Sequence, residues 1–260
     1  MAVDLKGACR VMGLRESAPV RHGPLRVWRH VGRESGAAAL SLRLIEVAAG
    51  EPAPGLRNGP CEEVLFVLQG QGTAHVDGWP HEIGPDTGLF VPPGAGLTLV
   101  AAGPEALTLV SAQCPDPGPS LVLEPPLLHP AGGGACVGAT ARLWERESRP
   151  SGDRWYRVLI DDTLGSRQVT QFVGAIPPGR APSHFHEYEE VLCFLAGEGR
   201  LWADDVSAAV GPGMCAFLPR GQVHCTENTG AGELRLLGVF YPAGSPAVSY
   251  AADGRRRAAP

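Results

Sequence analysis

The sequence predicts an all-β chain folded as two tandem β-barrels, and three observations predict it. Short apolar runs rich in Val, Leu and Phe alternate with turn formers, supplied by 35 glycines and 25 prolines in 260 residues. That is the pattern of short strands joined by tight turns. Apolar residues at helical spacing are scarce, and the best local stretch, Ala139 to Glu147, is short and runs out at Pro150. The third observation is an internal repeat.

Sliding the chain by 127 positions without a gap superimposes Glu62, Glu63, Val64 and Leu65 on Glu189, Glu190, Val191 and Leu192. Gly70 and Gly72 then fall on Gly197 and Gly199, Gly84-Pro85 on Gly211-Pro212, Phe90 on Phe217, and Pro92 and Gly94 on Pro219 and Gly221. Leu107 and Leu109 meet Leu234 and Leu236, and Trp28 meets Trp155. Turn formers at fixed intervals with β-type residues between them are what two copies of one antiparallel unit preserve. The run from Cys114 to Gly152, with PDPGP, EPP and AGGG, has the composition of a connection. The chain is therefore expected to divide into a first barrel over 1–114, a Pro/Gly-rich connection over 115–152, a second barrel over 153–250 and a tail over 251–260. Each copy is large enough for a two-sheet jelly roll, whose stacked sheets deal with exposed strand edges.

Composition excludes several classes of function. A net charge of -5 gives no electrostatic reason to expect nucleic acid or an anionic membrane as a partner. The one basic run, Arg255 to Arg257, reads as a solvated tail. The start, MAVDLKGACR, lacks the apolar core of a secretory signal, and no window approaches the ~18 apolar residues of a membrane span. A cytoplasmic protein is the expectation. Seven cysteines without CxxC spacing indicate reduced, structural thiols rather than a disulfide framework or a zinc ribbon. Lys6 is the only lysine, which argues against Schiff-base chemistry and a P-loop. The residues before Leu25 are too few and too poor in helical pattern for a helix-turn-helix. The apolar stretch Leu121 to Leu128 offers a contact surface for a homodimer.

The chemistry concentrates in the second copy. His184 and His186 are two apart, on one face of an extended strand, and Glu190 follows at an even spacing after a short polar stretch. Gly197 comes seven residues later, where a hairpin must turn. Pro219-Arg-Gly221 sets a tight turn just before His224, with Asn228 four residues beyond it. Three neutral imidazoles and one carboxylate suit a single divalent transition metal, Fe, Mn, Ni, Co, Cu or Zn, whereas Mg and Ca prefer all-oxygen cages. A His-x-His pair alone is commonly incidental, but the four-part spacing is not. Asn228 is expected either to hydrogen-bond behind the ligands or to serve the turn.

Both segments resemble the two signature motifs of the cupin family: Gly, then His-x-His-x-x-x-Glu-x6-Gly, and Gly-x5-Pro-x-Gly-x-x-His-x-x-x-Asn. The second motif matches at each defined position, from Gly213 to Asn228, while the first has four residues rather than five between Gly179 and His184. The resemblance is specific over about residues 175 to 230 and weaker over both copies. It implies a bicupin in which His184, His186, Glu190 and His224 hold the metal.

The first copy has lost that constellation. Arg57, Gly59 and Leu97 stand at the positions of His184, His186 and His224, Ala101 stands at that of Asn228, and only Glu63 survives. A single carboxylate cannot hold a transition metal, and pairing of Glu63 with Arg57 is the expected way to satisfy it. His75 and His81, on a later hairpin, are read as surface or core residues. In the second copy, Leu192, Phe194 and Trp202 are expected near the ligands, shaping an apolar cavity for a modest organic substrate.

The cupin resemblance implies non-haem oxygenase chemistry first, with Glu190 as ligand and catalytic proton shuttle. A redox-neutral hydrolase, isomerase or lyase using the ion as a Lewis acid is the alternative. The layout is similar to that of the ureidoglycine aminohydrolase bicupins, which have a metal-free first barrel. Their second-barrel ligands run in a different order, so the likeness extends to the architecture and not to the substrate. Since cupins include non-catalytic members, a small-molecule-binding protein is the third reading.

Overall fold

The computed structural model describes residues 2–130, 138–251 and 253–256. Cys136, Arg257 and the whole AGGG run lie outside the described residues. Short strands joined by turns make up nearly all of the fold, with only single turns of 3-10 helix between them. None of the helices among these residues is long and apolar enough to cross a membrane.

Each barrel is a large antiparallel sheet packed on a small one. In the first, the large sheet runs Ala139–Arg142, Thr87–Val91, Glu62–Gln69, Leu107–Cys114, Ser41–Val47, Leu25–Val31, Val20–His22. In the second it runs Val3–Asp4, Arg10–Gly13, Met214–Leu218, Glu189–Ala196, Leu234–Tyr241, Thr170–Ile176, Arg154–Ile160, Arg149–Ser151. The small sheets centre on Gly96–Ala102 and on His224–Asn228.

The strand registers reproduce the 127-residue repeat. Glu63 faces Val91 as Glu190 faces Leu218, and Leu97 faces Val76 as His224 faces Ala203. Gly70 and Gly197 turn the matching hairpins at φ of 80° and 81°, where a Cβ would fall 2.4 Å from the Ala106 oxygen and 2.6 Å from the Glu233 oxygen. Only glycine fits both requirements.

Sheet membership crosses the chain's own order. Arg10–Gly13, at the start of the chain, pairs with Met214–Leu218 of the second barrel. In the corresponding place, Ala139–Arg142 from the connection pairs with Thr87–Val91 of the first. Each barrel thus lends its leading strand to the other and covers an edge that would otherwise be open. Where the sequence offered a weak helical stretch over Ala139 to Glu147, the chain forms this strand and one 3-10 turn, Leu143–Glu145. Four residues of ladder pairing outweigh a marginal local propensity.

Alternation along the strands sorts side chains into three cores. Leu65, Val67, Leu97 and Leu109 fill the first barrel, and Leu192, Phe194, Leu201 and Leu236 fill the second. A third core lies between the large sheets, with Leu44, Phe66 and Val110 from one side and Val173, Val191 and Leu237 from the other. Burying each such side chain contributes about 1.5–3 kcal/mol, so the barrels adhere along a true core.

Two carboxylates at the repeat-related positions lock that interface. Glu189 accepts the backbone N–H groups of Ala38, Ala39 and Leu40 in the first barrel, at 2.7, 2.7 and 2.6 Å. Glu62 accepts the N–H groups of Arg167 and Gln168 and the hydroxyl of Ser166 in the second, at 2.9–3.1 Å. Both carboxylates are buried, and each accepts backbone N–H groups from a loop of the opposite barrel. Replacing Glu189 with Ala leaves three N–H groups without an acceptor. A loss of about 3 kcal/mol in chemical denaturation is expected, and Glu62→Ala should cost a similar amount; losses below about 0.5 kcal/mol would contradict this role.

Candidate metal centre

His184, His186 and His224 converge at one end of the second barrel. His184 and His224 exchange backbone hydrogen bonds, N–H to carbonyl, at 2.9 and 2.8 Å. The amide of Gly221, in the turn before His224, donates to the His186 carbonyl at 2.8 Å. The Pro219–Gly221 turn and the His-x-His segment are therefore tied to each other by backbone, which sets the side chains before any ion is considered. The three imidazole ligand atoms lie within 4.8 Å of one another.

Each ring is also held in one tautomer. Nδ1 of His184, His186 and His224 sits 3.0, 2.9 and 2.9 Å from the carbonyl oxygens of Pro182, Val248 and Gln222. A carbonyl only accepts, so Nδ1 carries the proton and Nε2 keeps its lone pair for a ligand. Burial pushes all three imidazoles below their usual range, His186 to about 3, with the neighbouring rings adding to the effect on His184 and His186. Neutral imidazoles with free Nε2 atoms are what a divalent transition metal requires. This donor set fits such an ion. Tyr188 stacks on His186 with ring centroids 4.4 Å apart and on Phe240 at 4.1 Å, fixing the ring from behind.

The histidines open into a cavity of about 370 Å³, whose walls include Phe172, Ile176, Leu192 and Leu236. Its rim comes from the 151–156 hairpin and from Pro246, Ala247 and Ser249. Of the residues expected near the ligands, Leu192 lines this space. Phe194 packs in the barrel core, and Trp202 lies under the Arg180 guanidinium, 4.0 Å from its ring centroid, and donates to Glu227. Neither Phe194 nor Trp202 lines the cavity. Asn228 donates to the carbonyls of Ile176 and Gly232 and accepts from Gly230 N–H, so it serves the turn.

Glu190 lines the same cavity, although its carboxyl is not part of the cluster that the three rings form. It is buried, and desolvation raises its pKa to about 8. Comparison with the first barrel explains why it has no counter-charge. There, Glu63 accepts from Arg43 Nη2 at 2.5 Å and from the Ser111 hydroxyl at 2.5 Å, while Arg43 Nε donates to Ser111 at 3.0 Å. The expected Glu63–Arg57 pair does not form: Arg57 points to Glu124, at 2.6 Å, and to Asp77. Arg57 lies on the small sheet, whereas Arg43 reaches Glu63 across the large one. In the second barrel the Arg43–Ser111 register pair is replaced by Phe172–Gly238. A Cβ on Gly238 would stand 3.0 Å from Glu190 Oε1 and 2.3 Å from Phe172. The first barrel neutralises its carboxylate with a guanidinium, and the second leaves its own facing the cavity.

The cysteines behave as core residues. Cys9, Cys114 and Cys193 are buried, with thiols pushed up to about 12 by desolvation, and none of the six described cysteines is in a disulfide.

Fold and site together define two tandem antiparallel β-barrels, the second of which brings together three histidines that fit a divalent transition metal. Residues 172–240 match the family model described as Cupin domain. A mutant of Bacillus subtilis oxalate decarboxylase is similar in fold, with a TM-score of 0.74 at 14% identity over 94% of this chain and 79% of that one. Protein Ylba from E. coli is similar with a TM-score of 0.72 at 16% identity, covering 92% of this chain and 93% of that one. No curated protein sequence matches the chain.

Two outcomes follow from the contrast between the carboxylates. Glu63→Ala strands the buried Arg43 guanidinium and should cost about 3–5 kcal/mol in denaturation, with metal content unchanged. For Glu190, the folded pKa of about 8 lies above the ordinary 4.5. The folded state therefore holds a proton that the unfolded chain has lost, and this contribution is full below pH 4.5 and disappears as pH rises through 8. In chelator-treated protein, the melting temperature of the wild type should fall relative to Glu190→Gln across that window, since the histidines titrate alike in both. Parallel curves would contradict the assignment.

Proposed function

We propose that the chain is a metal-dependent enzyme acting on a small organic molecule, with one divalent transition metal held by His184, His186 and His224 and with Glu190 as the fourth ligand. The observation that carries this reading is the fixed tautomer of the three rings. Backbone carbonyls hold every Nδ1–H, so three Nε2 lone pairs are presented to one point at the inner end of a cavity. Coordination positions not taken by these four residues would be left for substrate or water from the cavity. When bound, the ion supplies Lewis acidity or the activation of dioxygen.

The protein's own groups do the rest. Phe172, Leu192 and Leu236 exclude water from one side of the bound molecule. Glu190, buried in the cavity wall with no arginine paired to it, would serve as ligand or, when not ligated, as a group that takes up a proton. Tyr188, buried and stacked behind His186, keeps the ring from turning. A non-haem oxygenase is the reaction class we favour, because an apolar, partly enclosed space beside an open metal protects reactive species from water. A redox-neutral reaction is the second reading, in which the ion would act as a Lewis acid and the buried Glu190 carboxyl would move the proton. Bacillus subtilis oxalate decarboxylase, similar in fold, has Mn(II) centers, which makes manganese one of the first ions to load.

Elemental analysis should find about one transition metal per chain in the wild type and in Glu63→Ala, and none in His186→Ala. With iron or manganese loaded, oxygen uptake in the presence of enolic and phenolic acids is expected and should vanish in His186→Ala. Turnover that continues without oxygen would move the assignment to the redox-neutral class, and protein that cannot be loaded would end the catalytic reading.

A further inference from the structure

The cavity contains one permanent cation that neither the metal site nor the fold uses. Arg154 begins the strand Arg154–Ile160 and lines the cavity together with the three histidines. Its Nε is buried and has no hydrogen-bond partner among the described residues. Asp153 Oδ1 lies 3.5 Å from that Nε, but the Asp153 side chain is 74% exposed at the rim while that of Arg154 is 25% exposed. The only acidic side chain paired with it among the described residues thus sits mainly in water, and the guanidinium sits mainly in protein. No side-chain hydrogen bond from Arg154 occurs among the described residues, in contrast to Arg43 and Arg57, whose forks are engaged by carboxylates.

A half-buried guanidinium with unspent donors is costly unless something accepts from it. Its planar fork matches a carboxylate. The remaining lining residues offer no second permanent cation: Asp153 and Glu190 are acidic, and the histidines are neutral.

We infer that Arg154 anchors the carboxylate of a small organic acid, with the rest of the molecule lying along Phe172, Ile176, Leu192 and Leu236 and reaching toward the histidine cluster. Arg154 is then a substrate-binding residue that selects acids over neutral molecules of the same shape. This inference rests on the proposed function for its use in turnover, but the anchor itself needs no metal.

The test is calorimetric titration of the full chain with benzoylformate and with its methyl ester, in metal-free and Mn(II)-loaded forms, with metal content measured on each sample. Wild-type protein should bind the acid at least about tenfold more tightly than the ester, the worth of a charged hydrogen-bonded pair. Arg154→Met should erase that preference while melting temperature and metal content stay at wild-type values. Should Arg154→Met fail to fold, Arg154→Lys decides, with a reduced preference expected because a lysine cannot make the bidentate contact. An acid that binds no better than its ester in the wild type, or a preference untouched in the folded Arg154 variant, overturns the anchor. Protein that takes up no metal but keeps an Arg154-dependent preference supports the anchor and removes the metal reading. Protein that loads metal without the preference does the reverse.

Discussion

The structure depends on a reciprocal exchange between its two halves. Glu62 of the first barrel caps a loop of the second, and Glu189 of the second caps a loop of the first, each accepting two or three buried donors. The leading strands are exchanged in the same sense. Together these features hold the two large sheets face to face over a shared apolar core. Neither barrel keeps its edge or its loop satisfied alone, so the barrel with the histidine cluster is built on its partner. The first barrel, whatever its own chemistry, supplies an edge strand's partner and a loop cap to the second.

The two buried glutamates one position further along show how the same fold either spends or saves a charge. Glu63 is closed off by Arg43 and Ser111, an internal ion pair that takes the role of counter-charge in a barrel without a histidine cluster. Glu190 faces Phe172 and Gly238 instead, and its desolvated carboxyl is raised to about 8. Two substitutions on neighbouring strands separate a structural carboxylate from one poised for proton or metal chemistry. Backbone carbonyls complete the difference by fixing three imidazole tautomers around the site.

Much of this was legible in the residues. Turn formers repeating at a constant offset carry the two-barrel fold, because hairpin geometry tolerates few substitutions at positive φ, as at Gly70 and Gly197. The histidine spacing carries the cluster, since a strand places alternate residues on one face. What the sequence hid were partners set by tertiary register. Arg43 meets Glu63 through the intervening strand Leu107–Cys114, while Arg57, closer in sequence, turns away on the other sheet. The matching Glu62 and Glu189 stood out as repeated letters, yet their capping of the opposite barrel depends on how the sheets stack. Arg154 gave no signal at all, because its place at the cavity comes from the fold of the 151–156 hairpin. The strand exchange was hidden for the same reason: Arg10–Gly13 and Ala139–Arg142 are short, and only the partner edge makes them strands.

The most direct test of the central claim is anomalous diffraction from crystals of the full chain grown with Mn(II). The account predicts one manganese peak per chain in the second barrel, bounded by Nε2 of His184, His186 and His224, and none beside Arg43 and Glu63. A peak in the first barrel, or manganese bound elsewhere with the three imidazoles unligated, would contradict it.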